Sequence, residues 1–167
     1  GTAQPKPCAA ASRGMSVKDD ALYTNSTLAI RPGTGELIWH FQHVPGETID
    51  MEVGFERILA DIEGTPTLLT VGKDGILWKI DRTTGEYIDL LDTMQQNIFD
   101  VNRNTGALSY REDIANAGIG DTYTACPGIY GGHNWQSATY DAERHLLFLP
   151  VHQLCSDMTP RAVDLGP

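Results

Sequence analysis

At 167 residues, with 12 Lys and Arg against 22 Asp and Glu and a net charge of -10, the chain is long enough for one domain with a real core. No basic run interrupts that charge, so its long-range field repels nucleic acid and anionic membrane and suits a small neutral ligand or a basic protein partner. No apolar run approaches the ~20 residues that span a bilayer as a helix.

The chain begins Gly1-Thr2-Ala3-Gln4-Pro5, without an initiator methionine or the basic and apolar regions of a signal peptide, and reads as an internal or processed start. Residues 1–17 read as a loop. The first hairpin follows at Leu28–Trp39, where Arg31-Pro32-Gly33-Thr34-Gly35 makes a polar corner between two apolar strands. Residues 44–48 form a Pro-Gly loop, and Thr67–Val71 and Ile76–Ile80 are strands around the turn Gly72-Lys73-Asp74-Gly75. The corner Asp81-Arg82-Thr83-Thr84-Gly85 and the corner Asn102-Arg103-Asn104-Thr105-Gly106 repeat the first one. Glycine supplies the positive φ such corners need, while Asp, Asn and Thr bond the local backbone. Residues 92–99 and 112–117 have the pattern of single helical turns, residues 118–133 read as loop, and Ser137–Val151 is a fourth strand–corner–strand unit without Thr-Gly. These repeats predict an all-β meander and suggest a β-propeller, although their period is irregular. Blades of about 40–50 residues leave room for about three to four of them, so residues 1–167 read as one partial propeller with further blades supplied by a longer chain.

Several residues carry chemistry in more than one reading. Asp50 and Glu52, after the loop His43–Ile49, project to one face if the segment is extended. Such a pair holds a cation or supplies a general base; it is equally an exposed acidic loop. Lys73 can donate to an anionic or quinone oxygen, or simply decorate a hairpin. In Gly131-Gly132-His133-Asn134-Trp135 the glycines permit close backbone approach, Asn134 offers donor and acceptor, and Trp135 a flat face. A fused-ring ligand with polar edges suits that set, and so does a corner packed between blades. Of the three cysteines, Cys126 and Cys155 border apolar runs, and their spacing leaves a disulfide and free thiols equally open. Dinucleotide and phosphate-loop fingerprints, a nucleophile elbow and a His-Glu-x-x-His motif are all absent, which disfavours nicotinamide, nucleotide and zinc-hydrolase chemistry.

Taken in order, the Gly-Thr-x-x-Pro start, the Thr-Gly corner with Trp39, the Pro45–Asp50 loop, the Lys73-Asp74-Gly75 turn, the Asp81–Gly85 corner and Cys126-Pro127…Gly131-Gly132-His133-Asn134-Trp135 resemble the PQQ-dependent alcohol dehydrogenases related to methanol dehydrogenase. The resemblance covers nearly the whole chain and implies part of an eight-bladed propeller, with PQQ and a cation near its axis. It implies that Asp50 is the catalytic carboxylate that takes the alcohol proton. Lys73, Asn134 and Trp135 would bind the cofactor, Gln4, Asp50 and Glu52 would hold the metal, and Cys126 and Cys155 would form a disulfide. Trp39 would be a structural lock between blades, with Ile88 or Tyr110 standing for the indole in the degenerate copies. The implied metal is Ca²⁺. Glu52 raises a lanthanide as the alternative, and Gln4 replaces the asparagine usual in the family. The implied activity is oxidation of a primary or secondary alcohol in the periplasm, with electrons passed to a c-type cytochrome or a quinone. The rival expectation is a non-catalytic propeller scaffold of the same repeat superfamily.

Overall fold

In a computed structural model of the chain, residues 20–162 are described, and they are almost entirely β. Strands β1 (Ser26–Ile30) and β2 (Leu37–Gln42) form the first hairpin. Strands β3 (Ile58–Ile62), β4 (Thr65–Val71), β5 (Ile76–Asp81) and β6 (Tyr87–Asp92) form a four-stranded antiparallel meander, one complete blade. Two-stranded pieces follow: β7 (Phe99–Asn102) with β8 (Ala107–Tyr110), β9 (Tyr123–Ala125) with β12 (Ser156–Met158), and β10 (Thr139–Asp141) with β11 (Leu146–Phe148). The only helix among the described residues is α1 (Glu112–Asn116), where a helical turn is expected. The other expected turn, at 92–99, is not helical. Thr93 is tied by its N–H and hydroxyl to Gly75 O, and Gln96 Oε1 accepts the amides of Ile98 and Phe99, so β7 starts directly.

The blade's inner face follows from alternation. Along β5, Ile76, Trp78 and Ile80 are fully buried while the intervening residues are only partly so. They join Val44, Met51, Val53, Leu68, Leu90, Ile98 and Phe99 in one core, which Trp39, Phe41 and Tyr87 partly cover. Leu59 and Leu91, on the outer strands, and Phe148 on β11 remain exposed. Such apolar fringes are what a partial propeller presents where further blades would pack.

The Thr-Gly corners do more than turn the chain. A Cβ on Gly85 would lie 2.7 Å from the ring of Trp39, and one on Gly106 would lie 2.5 Å from the ring of Tyr87. Each glycine thus lets its corner sit on an aromatic ring from the preceding unit, with φ of +79° and +72°. In the second copy the ring that takes the part of Trp39 is Tyr87, not Ile88. Tyr87 also donates its hydroxyl to Arg103 O in the next corner, a bond that an isoleucine cannot make.

Candidate functional site

Three loops meet at one edge of this core. The first runs from His43 to Arg57 between β2 and β3. Met51 and Val53 are fully buried in the core, whereas Asp50 and Glu52, the residues just before each, are only partly buried. Asp50 adopts φ +75°, a left-handed conformation uncommon for a residue with a side chain, so the condition of an extended segment is not met there. Glu47 lies beneath, fully buried, and its Oε1 accepts the amides of Ile49 at 2.7 Å and Met51 at 2.9 Å.

The second loop is the turn Gly72–Gly75 between β4 and β5. Asp74 shapes it from inside: Oδ1 accepts the amides of Gly72 and Ile76, and Oδ2 accepts Trp78 Nε1–H at 2.7 Å. The Lys73 amide donates to Glu52 O at 3.0 Å, which joins this turn to the first loop. Glycine is required at position 72, because a Cβ there would stand 2.5 Å from Val53 Cα.

The third segment, Gly128–Trp135, is anchored by the Cys126–Cys155 disulfide, whose sulfurs are 2.06 Å apart. The pairing of β9 with β12 sets Ala125 opposite Ser156 and thereby brings the two cysteines together. Gly132 N–H then donates to Lys73 O and His133 N–H to Gly72 O. Gly131, at φ +82°, lies directly on the Lys73 side chain; an added Cβ would sit 2.6 Å from Lys73 Cα and nearer still to Cβ and Cγ. Gly131→Ala is therefore expected to destabilise the protein by about 1–3 kcal/mol through overpacking and backbone strain, measured as a fall in Tm.

The convergence produces a compact charge cluster. Lys73 Nζ lies 2.7 Å from Asp50 Oδ2 and 3.0 Å from Glu52 Oε1. Lys73 is 8% exposed, so it is not a solvated hairpin residue. Burial alone would pull its pKa down, but the hydrogen bonds to Asp50 and Glu52 outweigh that and hold it above the usual lysine value. Asn134 uses its amide locally, donating to Tyr130 O at 2.7 Å and accepting the Trp135 amide at 2.9 Å. Trp135 is 74% exposed, its indole turned outward beside the third segment. Asp50, Glu52 and Lys73 are thus brought into contact. Asn134 and Trp135 stand two and three residues beyond Gly132 without a hydrogen bond to that cluster. Gln4 lies outside the described residues.

The donor set accommodates a cation in part. Glu52 Oε2 is buried and has no hydrogen-bond partner among the described residues, which is unfavourable unless something positive meets it. Those residues contain no group of three His, Cys, Asp or Glu side chains able to hold a metal by themselves. Two carboxylates fit such an ion as part of a shell completed from elsewhere.

The two buried carboxylates beneath the site were not distinguishable in the sequence. Burial pushes both Glu47 and Asp74 up to about 7, against the pull of the backbone amides each accepts and, at Asp74, of the Trp78 indole. In the sequence each is one more acid in a Gly-containing loop. The only signal is its position, three residues before Asp50 and one after Lys73.

Residues 7–98 match the family described as PQQ, "Glucose/ethanol/alcohol dehydrogenase, beta-propeller domain". A quinohemoprotein alcohol dehydrogenase of Comamonas testosteroni is 33% identical over 142 residues, covering 81% of this chain and 19% of that protein. The 1-butanol dehydrogenase (cytochrome c) of Thauera butanivorans is 35% identical over 142 residues, covering 81% and 20%. The crystal structure of the Comamonas testosteroni enzyme superposes with a TM-score of 0.76 at 29% identity, covering 83% of this chain and 21% of that one. A europium-containing methanol dehydrogenase shares the fold, with a TM-score of 0.74 at 23% identity over 82% of this chain and 25% of its own. The chain spans about a fifth of the length of the curated relatives it matches. With more than half its length matched to that family, the chain belongs to the PQQ-dependent glucose/ethanol/alcohol dehydrogenase β-propellers.

Proposed function

We propose that this chain is the section of a periplasmic PQQ-dependent alcohol dehydrogenase that supplies the proton acceptor and a basic group facing the cofactor. The observation that carries the reading is the contact between Asp50 and Lys73. A partly exposed carboxylate, raised on an unusual backbone, is paired with a nearly buried ammonium in a chain of this family. When bound, PQQ supplies a two-electron acceptor, and Ca²⁺ or a lanthanide supplies Lewis acidity.

The chain's own residues do the rest. Asp50 accepts the hydroxyl proton of a primary or secondary alcohol as the hydride departs from carbon. Lys73, kept charged by its two carboxylates, stabilises negative charge that develops on an oxygen placed near it. Glu52 also holds Lys73 and offers Oε2, which has no hydrogen-bond partner among the described residues, to a cation. Asn134 and Trp135 would line the cofactor's edge and face from the third segment, and Gln4 would complete the metal shell. Electrons would leave to a c-type cytochrome or a quinone; a cytochrome c acceptor appears in the name of the Thauera butanivorans relative. Further blades of a longer chain would close the ring.

The test is reconstitution of the complete protein with PQQ, with Ca²⁺ or a lanthanide in parallel, an artificial electron acceptor and a panel of alcohols. Turnover that requires PQQ supports the enzyme, and the effective cation decides between the metals. A folded protein that takes up no PQQ under either condition is instead a propeller scaffold.

A further inference from the structure

We propose that Glu47 is a positioning residue for Asp50, acting as a two-pronged acceptor that pins the turn on which Asp50 stands; this rests on the function proposed above. Asp50 has a positive φ that a residue with a side chain leaves when nothing holds it. The two amides that bracket it, those of Ile49 and Met51, both donate to the single oxygen Glu47 Oε1, at 2.7 and 2.9 Å. Met51 is itself fully buried, so one end of the turn is fixed in the core. The other end, at Ile49, is fixed through Glu47. With both amides gathered on one atom, the intervening residue is forced outward, and its carboxylate meets Lys73 Nζ.

Three features separate this role from an ordinary buried charge. Among the described residues the Glu47 side chain has no cationic hydrogen-bond partner, so within them it is not half of an ion pair. Its second oxygen, Oε2, is buried and has no hydrogen-bond partner among the described residues, so among them only the Oε1 contacts offset the cost of burial. Burial lifts its pKa to about 7 against the pull of these two amides, which are the contacts that oppose the rise. A glutamine presents the same acceptor at the same reach, whereas aspartate is one methylene short and alanine offers nothing.

The experiment uses the complete protein loaded with PQQ and its cation, with Glu47→Gln, Glu47→Asp and Glu47→Ala. The readouts are kcat and KM for an alcohol, and amide exchange of the Ile49–Met51 segment. Glu47→Ala is expected to lower kcat about 100-fold with KM changed less than about 3-fold, the size expected for a misplaced reacting group. Its Ile49 and Met51 amides should exchange at least about 10-fold faster. Glu47→Gln should restore both readouts to within about 3-fold of the parent, which a role in charge would not permit. If Glu47→Ala fails to fold, a folded Glu47→Asp should still lose about 10-fold in kcat. The proposal is overturned by a folded Glu47→Asp or Glu47→Ala whose kcat stays within about 3-fold, or by a Glu47→Gln as impaired as Glu47→Ala. Should the complete protein oxidise no alcohol, the exchange readout still decides: unchanged protection in Glu47→Ala removes the clamp itself, independently of the enzyme's activity.

Discussion

Asp50→Asn in the complete, PQQ-loaded protein is expected to lower kcat by about three orders of magnitude with little change in KM, the range for loss of a positioned general base. The substitution isolates proton transfer from structure. An asparagine oxygen can still accept from Lys73 Nζ, and Glu52 keeps its own contact at 3.0 Å, so the ammonium stays in place. Asparagine also tolerates a positive φ better than most residues, so the turn at Asp50 need not relax. What vanishes is a site able to take up a proton. Losing the Asp50 charge removes its Coulombic share of what holds the Lys73 pKa up, so the variant's activity should also fall off at a lower pH on the alkaline side. The decisive measurement is steady-state turnover beside Tm. A variant that keeps kcat within 10-fold of the parent would exclude Asp50 as the base.

How the sequence encodes this site differs from how it encodes the blades. Each Thr-Gly corner is a local statement: glycine permits the turn, Thr34, Thr84 or Thr105 accepts an amide two residues on, Asp81 and Asn102 bond further amides at the second and third, and the hairpins at 28–39, 77–88 and 99–108 all form. The strand Ile58–Ile62 escaped, because its turn at Glu63-Gly64 lacks the Thr-Gly corner and its two charged neighbours dilute the alternation. Tyr87 as the second lock escaped for another reason. It stands nearer its corner than Trp39 does, and only the packing of Gly106 on its ring reveals the role.

Long-range contacts were out of reach of local pattern. Spacing alone left Cys126 and Cys155 open between thiols and a bridge, and the β9–β12 pairing that joins them links strands far apart in sequence. Asp50 and Lys73 meet because Lys73 N–H reaches Glu52 O and because Gly131 leaves room beside Lys73, as Gly132 does beside Gly75 and Met94. Nothing within either loop foretells the other. The residues that resembled a family's chemistry were visible from sequence, whereas the buried acids that shape their turns were not. A buried and an exposed carboxylate are the same letter.

The second large effect concerns stability. Trp78→Ala should destabilise the protein by about 3–5 kcal/mol, because the indole is fully buried and meets Phe41 and His43 edge-on, with centroids at 5.5 and 5.2 Å. Trp78→Phe separates packing from polarity: it keeps a ring but deletes the donor to Asp74 Oδ2, leaving a buried carboxylate short of a partner at a cost of about 1–3 kcal/mol. That cost should depend on pH with a definite sign. Asp74 titrates near 7 in the folded state, raised chiefly by burial from an ordinary value of 3.8. A carboxyl raised in this way contributes stability below its unfolded pKa and loses it as pH rises through the folded one, here between about 4 and 7. The Trp78 hydrogen bond opposes the shift, so deleting it raises the folded pKa further and carries the loss into more alkaline solution. The Trp78→Phe deficit in Tm should therefore be small at pH 5, where Asp74 is neutral in the folded protein, and clearly larger at pH 8, where it must ionise without the indole. Equal deficits at the two pH values would mean that the Asp74 carboxylate does not feel the indole. The turn that carries Lys73 would then be shaped by Asp74 through its Oδ1 bonds to the Gly72 and Ile76 amides, without help from the indole.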